Sequence, residues 1–272
     1  AGTISIMAGR GCPFDCDYCD HSIKGYRPRY RPVASVIEEM ETLLDGYGNR
    51  IGTFYFWDDI LIWDRDWIRE FCESLIRRDL RTKWTCNGHV SKVEPRLMSL
   101  MKRAGCVNVR FGIESGSQKI LDALNKGVRV EKAFESLMVC LEAGLDLTIY
   151  TMTGMTGEDR ETIGETVDFF RRLIHPLFVH QVRSVCFFML TPFPGTRIFD
   201  RALGHGLVGD MDAFLERGFD AYHDLPLNIS GRADRDLIGL KDELERQVTN
   251  IIRESKGHLR SLLYDMAEEL RK

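Results

Sequence analysis

Three cysteines fall close together in the run Cys12-Pro-Phe-Asp-Cys16-Asp-Tyr-Cys19. Three thiolates at this spacing can wrap one soft metal centre. A structural zinc site usually takes four protein ligands in two pairs, and no second pair follows here. His21 is the one histidine in the loop able to complete such a site. An iron–sulfur cubane is the other solution: three thiolates on four irons leave one iron open to a substrate or cofactor. The remaining cysteines, Cys72, Cys86, Cys106, Cys140 and Cys186, stand singly in apolar segments. They read as small buried hydrophobes.

Several other positions carry groups able to do chemistry. Asp58 and Asp59 follow an aromatic run. Their carboxylates can accept from an ammonium group, or cap a helix beginning near Asp64, or face solvent. Glu114, in Phe-Gly-Ile-Glu-Ser-Gly, can point into a ligand mouth or help cap the next helix. Thr153-Gly154-Met-Thr-Gly-Glu158 and Thr191-Pro192-Phe-Pro-Gly-Thr196 are short Gly- and Pro-rich runs. Glycines let backbone approach a ligand closely, and a tight Pro/Gly turn can shape a pocket. Ordinary strand-to-helix turns explain both runs as well. Glu158 is expected as a first-turn acid of the following helix. Asn87, Arg110, Tyr150 and Met189 lie inside apolar runs. Period-two logic does not assign their faces, and core packing is the favoured expectation. Lys24-Gly-Tyr26-Arg-Pro-Arg-Tyr30-Arg-Pro is the most cationic stretch. It reads as a solvated loop; RNA or an anionic substrate is the alternative partner.

These residues need a scaffold, and the hydrophobic pattern supplies one. Strands are expected at Thr3–Ala8, Thr53–Trp57, Lys83–Cys86, Asn108–Ile113, Leu147–Met152 and Arg183–Leu190. Helical sequence follows each: Val33–Gly46, Asp66–Arg78, a stretch starting at Pro95, Glu131–Glu142, Thr162–Leu173 and Arg197–Leu203. Six such units predict an α/β fold with a parallel sheet and right-handed crossovers. They are too few for an eightfold barrel, so a partial barrel is expected; a doubly wound sheet fits the periodicity equally. The cysteine loop then lies at the carboxyl end of the first strand, the edge where such sheets bind ligands. Gly209–Gly231 reads as a loop-rich segment with some helix. Asp236–Leu270 reads as a charged helix with Leu240, Leu244, Val248, Ile251, Leu259, Leu262, Met266 and Leu270 on one stripe, and Gly257 as a possible break. The expected division is a partial barrel over 1–206 and a C-terminal helical extension over 207–272, packed on the barrel.

The 272 residues are 44% hydrophobic and 29% charged, with a net charge of −4. That composition excludes wholesale disorder, a fibre and a disulfide-dense miniprotein. A general basic footprint for nucleic acid is absent. No apolar run reaches the roughly 20 residues that cross a bilayer, and the start reads unlike a signal peptide. The chain begins without Met, close to the cysteine motif, which leaves room for residues upstream.

Cys-x-x-x-Cys-x-x-Cys with Tyr18 before the last cysteine resembles the signature of the radical S-adenosylmethionine superfamily. The resemblance implies a 4Fe–4S cluster on Cys12, Cys16 and Cys19, with S-adenosylmethionine on the fourth iron. It implies a partial (β/α)6 barrel and reductive cleavage to a 5′-deoxyadenosyl radical. It places Tyr18, Asp58, Asp59, Glu114, Thr153, Gly154 and Pro192 around the cofactor. The chain departs from the family where Asp58 and Asp59 replace a Gly-Gly-Glu-like stretch, and where Thr156 stands for a proline. The Asp pair is similar to the branch associated with cobalamin-binding domains, which includes methyltransferases, ring-forming enzymes and rearrangers. No Asp-x-His-x-x-Gly cobalamin loop occurs in the sequence. The resemblance thus implies either a cobalamin domain outside this chain or a member working without cobalamin. RNA methylthiotransferases share several motifs and stand as an alternative, as does a non-catalytic metal-binding module. A reduced flavodoxin or ferredoxin is the implied electron donor, and a reducing cytoplasm the implied setting. The substrate is left open.

Overall fold

The computed structural model describes residues 1–20, 26–209, 211–216, 225 and 227–269. Side chains at 213, 215, 262 and 264–269 lie outside that description. The expectations for His21, Lys24, Leu262, Met266 and Leu270 therefore fall beyond it.

The chain runs β1 (Gly2–Ile6), β2 (Gly9–Arg10), β3 (Arg29–Tyr30), α1 (Val33–Tyr47), β4 (Ile51–Phe56), α2 (Arg65–Arg77), β5 (Trp84–Gly88), α3 (Pro95–Arg103) and β6 (Cys106–Glu114). It continues through α4 (Gln118–Ala123), α5 (Val130–Glu142), β7 (Asp146–Thr153), α6 (Arg160–Leu173), β8 (Val182–Met189), α7 (Arg197–Gly204), α8 (Met211–Glu216) and α9 (Asp234–Glu269). Six strands form one sheet in the order β1-β4-β5-β6-β7-β8, and every neighbouring pair is parallel. With helices in the crossovers the sheet makes a half-barrel, the partial (β/α)6 barrel expected from the sequence.

Alternation is strict along β7 and partial along the other strands. Phe54, Phe56, Trp84, Cys86, Val109, Phe111, Leu147 and Ile149 are buried in the core. Phe56, Phe71 and Trp84 meet edge to face, with centroids 5.3 to 5.8 Å apart. Fully burying such a ring contributes roughly 1.5–3 kcal/mol. The intervening residues, including Tyr55, Asn87, Arg110, Thr148 and Tyr150, are only half-buried and form the opposite, polar face. Sheet and site are therefore made by the same strands with opposite residues.

Local chemistry sets the element ends. Asp64 caps α2 by accepting from the N–H groups of Asp66 and Trp67, both at 3.1 Å. Asp159 and Thr162 form a reciprocal capping box at α6. Pro95 opens α3. Gly105 turns α3 into β6 with φ +92°, where a side chain would strike the Thr82 carbonyl.

Three expectations change here. Arg29–Tyr30 pairs antiparallel with Gly9–Arg10, so two residues of the basic stretch form a ribbon within the expected loop. Its Tyr30 donates to the Ile60 carbonyl at 2.6 Å and stacks on Trp67, and Arg31 pairs with Glu39. Gly257 does not break α9, which runs unbroken through it. Packing pins the helix instead: Leu240, Leu244, Val248 and Ile251 are buried, Leu259 is partly so, and α9 lies along α6. Of the five scattered cysteines four are buried, whereas Cys186 is half-exposed on the polar face of β8.

Candidate functional site

The cysteine loop follows the β1–β2 corner at the carboxyl edge of the sheet. Its root is held by the two aspartates that follow β4. Asp58 is 2% exposed and accepts from the N–H groups of Ala8, at 3.2 Å, and Gly9. Burial pushes its carboxyl up to about 6, against the pull of those two donors. Asp59 accepts from the Gly11 N–H at 2.8 Å. Asp58 thus neither caps α2 nor faces solvent.

The middle of the loop is clamped to distant elements. The buried Asp17 pairs with Arg197, at 3.2 Å, and with Arg201, both on α7. Arg197 also reaches Asp15 at 2.6 Å. The Asp17 N–H donates to the Leu124 carbonyl at 3.0 Å, and Asn125 Nδ2 to the Asp15 carbonyl at 2.8 Å. Burial pushes the thiols of Cys12 and Cys19 up, Cys19 to about 11, with the neighbouring cysteines adding to the effect. A metal centre here would bind with release of protons.

Beyond the loop lies a buried polar triad. Tyr18 Oη donates to Glu114 Oε1 at 2.8 Å. Lys126 Nζ donates to the same oxygen at 2.8 Å and to Tyr18 Oη at 2.7 Å. Glu114 is 6% and Lys126 7% exposed. Glu114 has φ +69°, in the left-handed region that costs a non-glycine residue of order 1–3 kcal/mol. The ladder with β7 shifts register between Gly112 and Glu114 at the same place. The carboxylate folds back over Gly112, where a Cβ would collide with it. Burial opposes charge on Lys126, but Glu114 and Cys16 hold its proton on and raise its pKa. Burial and Glu114 push the Tyr18 phenol far up.

Cys12, Cys16, Cys19, Tyr18, Asp59 and Lys126 line one cavity of about 290 Å³. Its other wall is the polar face of the sheet: Tyr55, Asn87, His89, Arg110 and Tyr150. Asn87, Arg110 and Tyr150 are thus not core residues, whereas Met189 is, at 2% exposure. His89 stacks on Phe14 of the cysteine loop, with centroids 3.6 Å apart.

The other expected residues fall elsewhere. Thr153, Gly154 and Pro192 are buried, outside the lining of this cavity. Glu158 precedes α6 and is not its first-turn acid. It is buried, accepts from the Gly154 N–H at 2.6 Å, and is pushed by burial up to about 7. Glu114 does not cap α4; Ser117 occupies that N-cap position. Lys126, His89 and Phe14 had no signal in the sequence, because their partners come from remote segments.

Among the described residues no group of three or more His, Cys, Asp and Glu is disposed to hold a metal ion. The three thiols instead share the wall of one cavity. Cysteine thiolates are the donor set that iron–sulfur clusters use. Three thiolates from one loop match a cubane with one open iron.

A half-barrel with a three-cysteine loop at the carboxyl edge of its sheet defines the class. Residues 6–170 match the model of the Radical SAM superfamily, and the chain belongs to that superfamily. It is 30% identical over 208 residues to an uncharacterized methyltransferase of Pyrococcus horikoshii, covering 76% of this chain and 43% of that protein. It is 30% identical over 164 residues to the anaerobic magnesium-protoporphyrin IX monomethyl ester cyclase of Rubrivivax gelatinosus, covering 60% of this chain and 29% of that one. The fold matches the radical S-adenosylmethionine methyltransferase TsrM of Kitasatospora setae, solved with cobalamin and a [4Fe–4S] cluster bound. That match has a TM-score of 0.65 and 24% identity, and covers 76% of this chain and 38% of that one. The chain therefore spans less than half the length of these relatives. No described helix is long and apolar enough to cross a membrane.

Proposed function

We propose that this chain is the catalytic core of an enzyme that cleaves S-adenosylmethionine reductively to start methyl transfer or ring closure. The observation that carries this reading is the placement of Cys12, Cys16 and Cys19 around one cavity at the carboxyl edge of a half-barrel. Similarity to a methyltransferase and a cyclase supports the two outcomes. Cobalamin, where used, would come from a domain outside this chain, and the electron from a reduced flavodoxin or ferredoxin.

In this reading Cys12, Cys16 and Cys19 hold a 4Fe–4S cluster. Such a cluster, once bound and reduced, supplies the electron that splits the sulfonium. The protein's part is orientation and shielding. Asp59, facing the cavity, accepts from the methionine ammonium, while Asp58 keeps the loop root in place. The Glu114–Lys126 pair and Tyr18 form the floor beside the cofactor. Thr153, Gly154 and Pro192 act from behind, by shaping the loops that close this edge.

Anaerobic reconstitution with iron and sulfide tests the site. The expected result is about four irons and four sulfides per chain. After dithionite, an electron paramagnetic resonance signal should change on adding S-adenosylmethionine. Tight zinc in tetrahedral thiolate coordination, with no such signal, would instead mean a metal-binding module without turnover.

A further inference from the structure

The cavity beside the cysteine loop contains a cation with no carboxylate partner among the described residues. Arg110 projects from the polar face of β6 into the lining. Its Nη1 donates to Thr85 Oγ1 at 3.1 Å, and its guanidinium lies 3.8 Å over the Tyr55 ring. These two contacts fix the plane of the group and occupy few of its five donors. Among the described residues no carboxylate pairs with it. The contrast with Lys126 is instructive, because that second cation of the lining is fully matched by Glu114.

A second donor on the same wall is also unmatched. Asn87 and His89 alternate along β5 and its extension, and Asn87 stands opposite Arg110 in the ladder. The Ser91 N–H donates to His89 Nδ1 at 3.4 Å, and Ser91 Oγ lies 2.8 Å from it. Nδ1 is therefore an acceptor, and the neutral ring carries its proton on Nε2. Burial and the nearby lysines keep the ring neutral. His89 is 7% exposed, and Nε2 has no partner among the described residues. A buried unpaired donor costs about 1–3 kcal/mol.

We propose that the substrate enters over the polar face of the sheet and is held by a carboxylate seated on the Arg110 guanidinium, its body lying against Tyr55 and Tyr150. The planar fork of an arginine matches a carboxylate in two parallel hydrogen bonds. Charge counting selects that anion over a phosphate. One cation balances one negative charge, whereas a phosphate monoester brings about −1.5 to −2. This inference rests on the cysteine loop being the cluster site, because that places the reacting centre in the same cavity.

The test uses the full chain, anaerobically loaded with cluster and S-adenosylmethionine, and two probes: 3-phenylpropionate and its neutral analogue 3-phenylpropionamide. Saturation-transfer NMR measures their binding, and equilibrium dialysis measures S-adenosylmethionine. The acid should bind at least about tenfold more tightly than the amide, the minimum expected for a charge-assisted hydrogen bond. Arg110→Met should erase that preference, and Arg110→Lys should keep part of it, with S-adenosylmethionine affinity within about twofold of the parent. Equal binding of acid and amide, binding of neither, or an unchanged preference in Arg110→Met overturns the proposal. A selective loss of S-adenosylmethionine binding in Arg110→Met would assign the guanidinium to the methionine carboxylate, and also overturns it. Failure of the parent protein to take up cluster or S-adenosylmethionine would count against the function itself, and is read separately in the same samples.

Discussion

At the scale of single residues, the site is a set of buried charges that survive because they are matched. Glu114 and Lys126 are each nearly inaccessible and 2.8 Å apart. Removing one partner of such a pair leaves an isolated buried charge, at a cost of about 3–5 kcal/mol. Lys126→Met is therefore expected to lower stability in urea by that order, and Glu114→Gln in the same chain should restore much of the loss. Additive losses in the double variant would show the pair is not coupled. Glu158 gives a pH prediction. Its carboxyl is pushed up to about 7, above its value in an unfolded chain. The folded state thus binds the extra proton between the ordinary carboxylate range and about 7, and loses stability as pH rises through that window. Glu158→Gln removes this term. Parent stability minus variant stability should fall from pH 5 to pH 7.5, and a flat difference would contradict the burial argument. None of these partnerships is legible in the sequence. Tyr18 and Glu114 are 96 residues apart, and Lys126 gives no local sign of its role. The cysteines, by contrast, announce themselves, because three thiols at short spacing in one loop are a local signal.

At the scale of elements, the cysteine loop depends on α7. Asp17 sits between two of the cysteines and is buried against Arg197 and Arg201. Arg197→Ala with Arg201→Ala should leave the half-barrel folded but loosen the loop. Circular dichroism should be retained, while iron leaves the reconstituted protein faster in the presence of a chelator. Iron release at the parental rate would show that the loop stands without the clamp. The six strands were visible in the sequence because their core-facing residues are apolar and regularly spaced. Their ends were less so: β6 extends to Glu114 through a bulge, and no periodicity reports a bulge. The two-residue ribbon β2–β3 is too short to leave a pattern. Gly257 looked like a breaker because propensity disfavours glycine in helices, but the apolar stripe of α9 against α6 overrides that preference.

At the scale of the whole molecule, one sheet serves two purposes. Its apolar residues carry the helical layer, and its alternate residues make a polar wall facing the cysteine loop. A sequence reading assigns such residues to the core by default, as it did for Asn87, Arg110 and Tyr150. Only the curvature of the assembled sheet, with the loop across its edge, makes them a cavity. The central claim is that this cavity starts radical chemistry. It is tested most directly by incubating the anaerobically reconstituted chain with S-adenosylmethionine and dithionite and quantifying 5′-deoxyadenosine by chromatography. The chain with Cys12, Cys16 and Cys19 all replaced by Ala is the control. 5′-Deoxyadenosine should form well above that control. Formation at the control level by a chain carrying its full complement of iron and sulfide would contradict it.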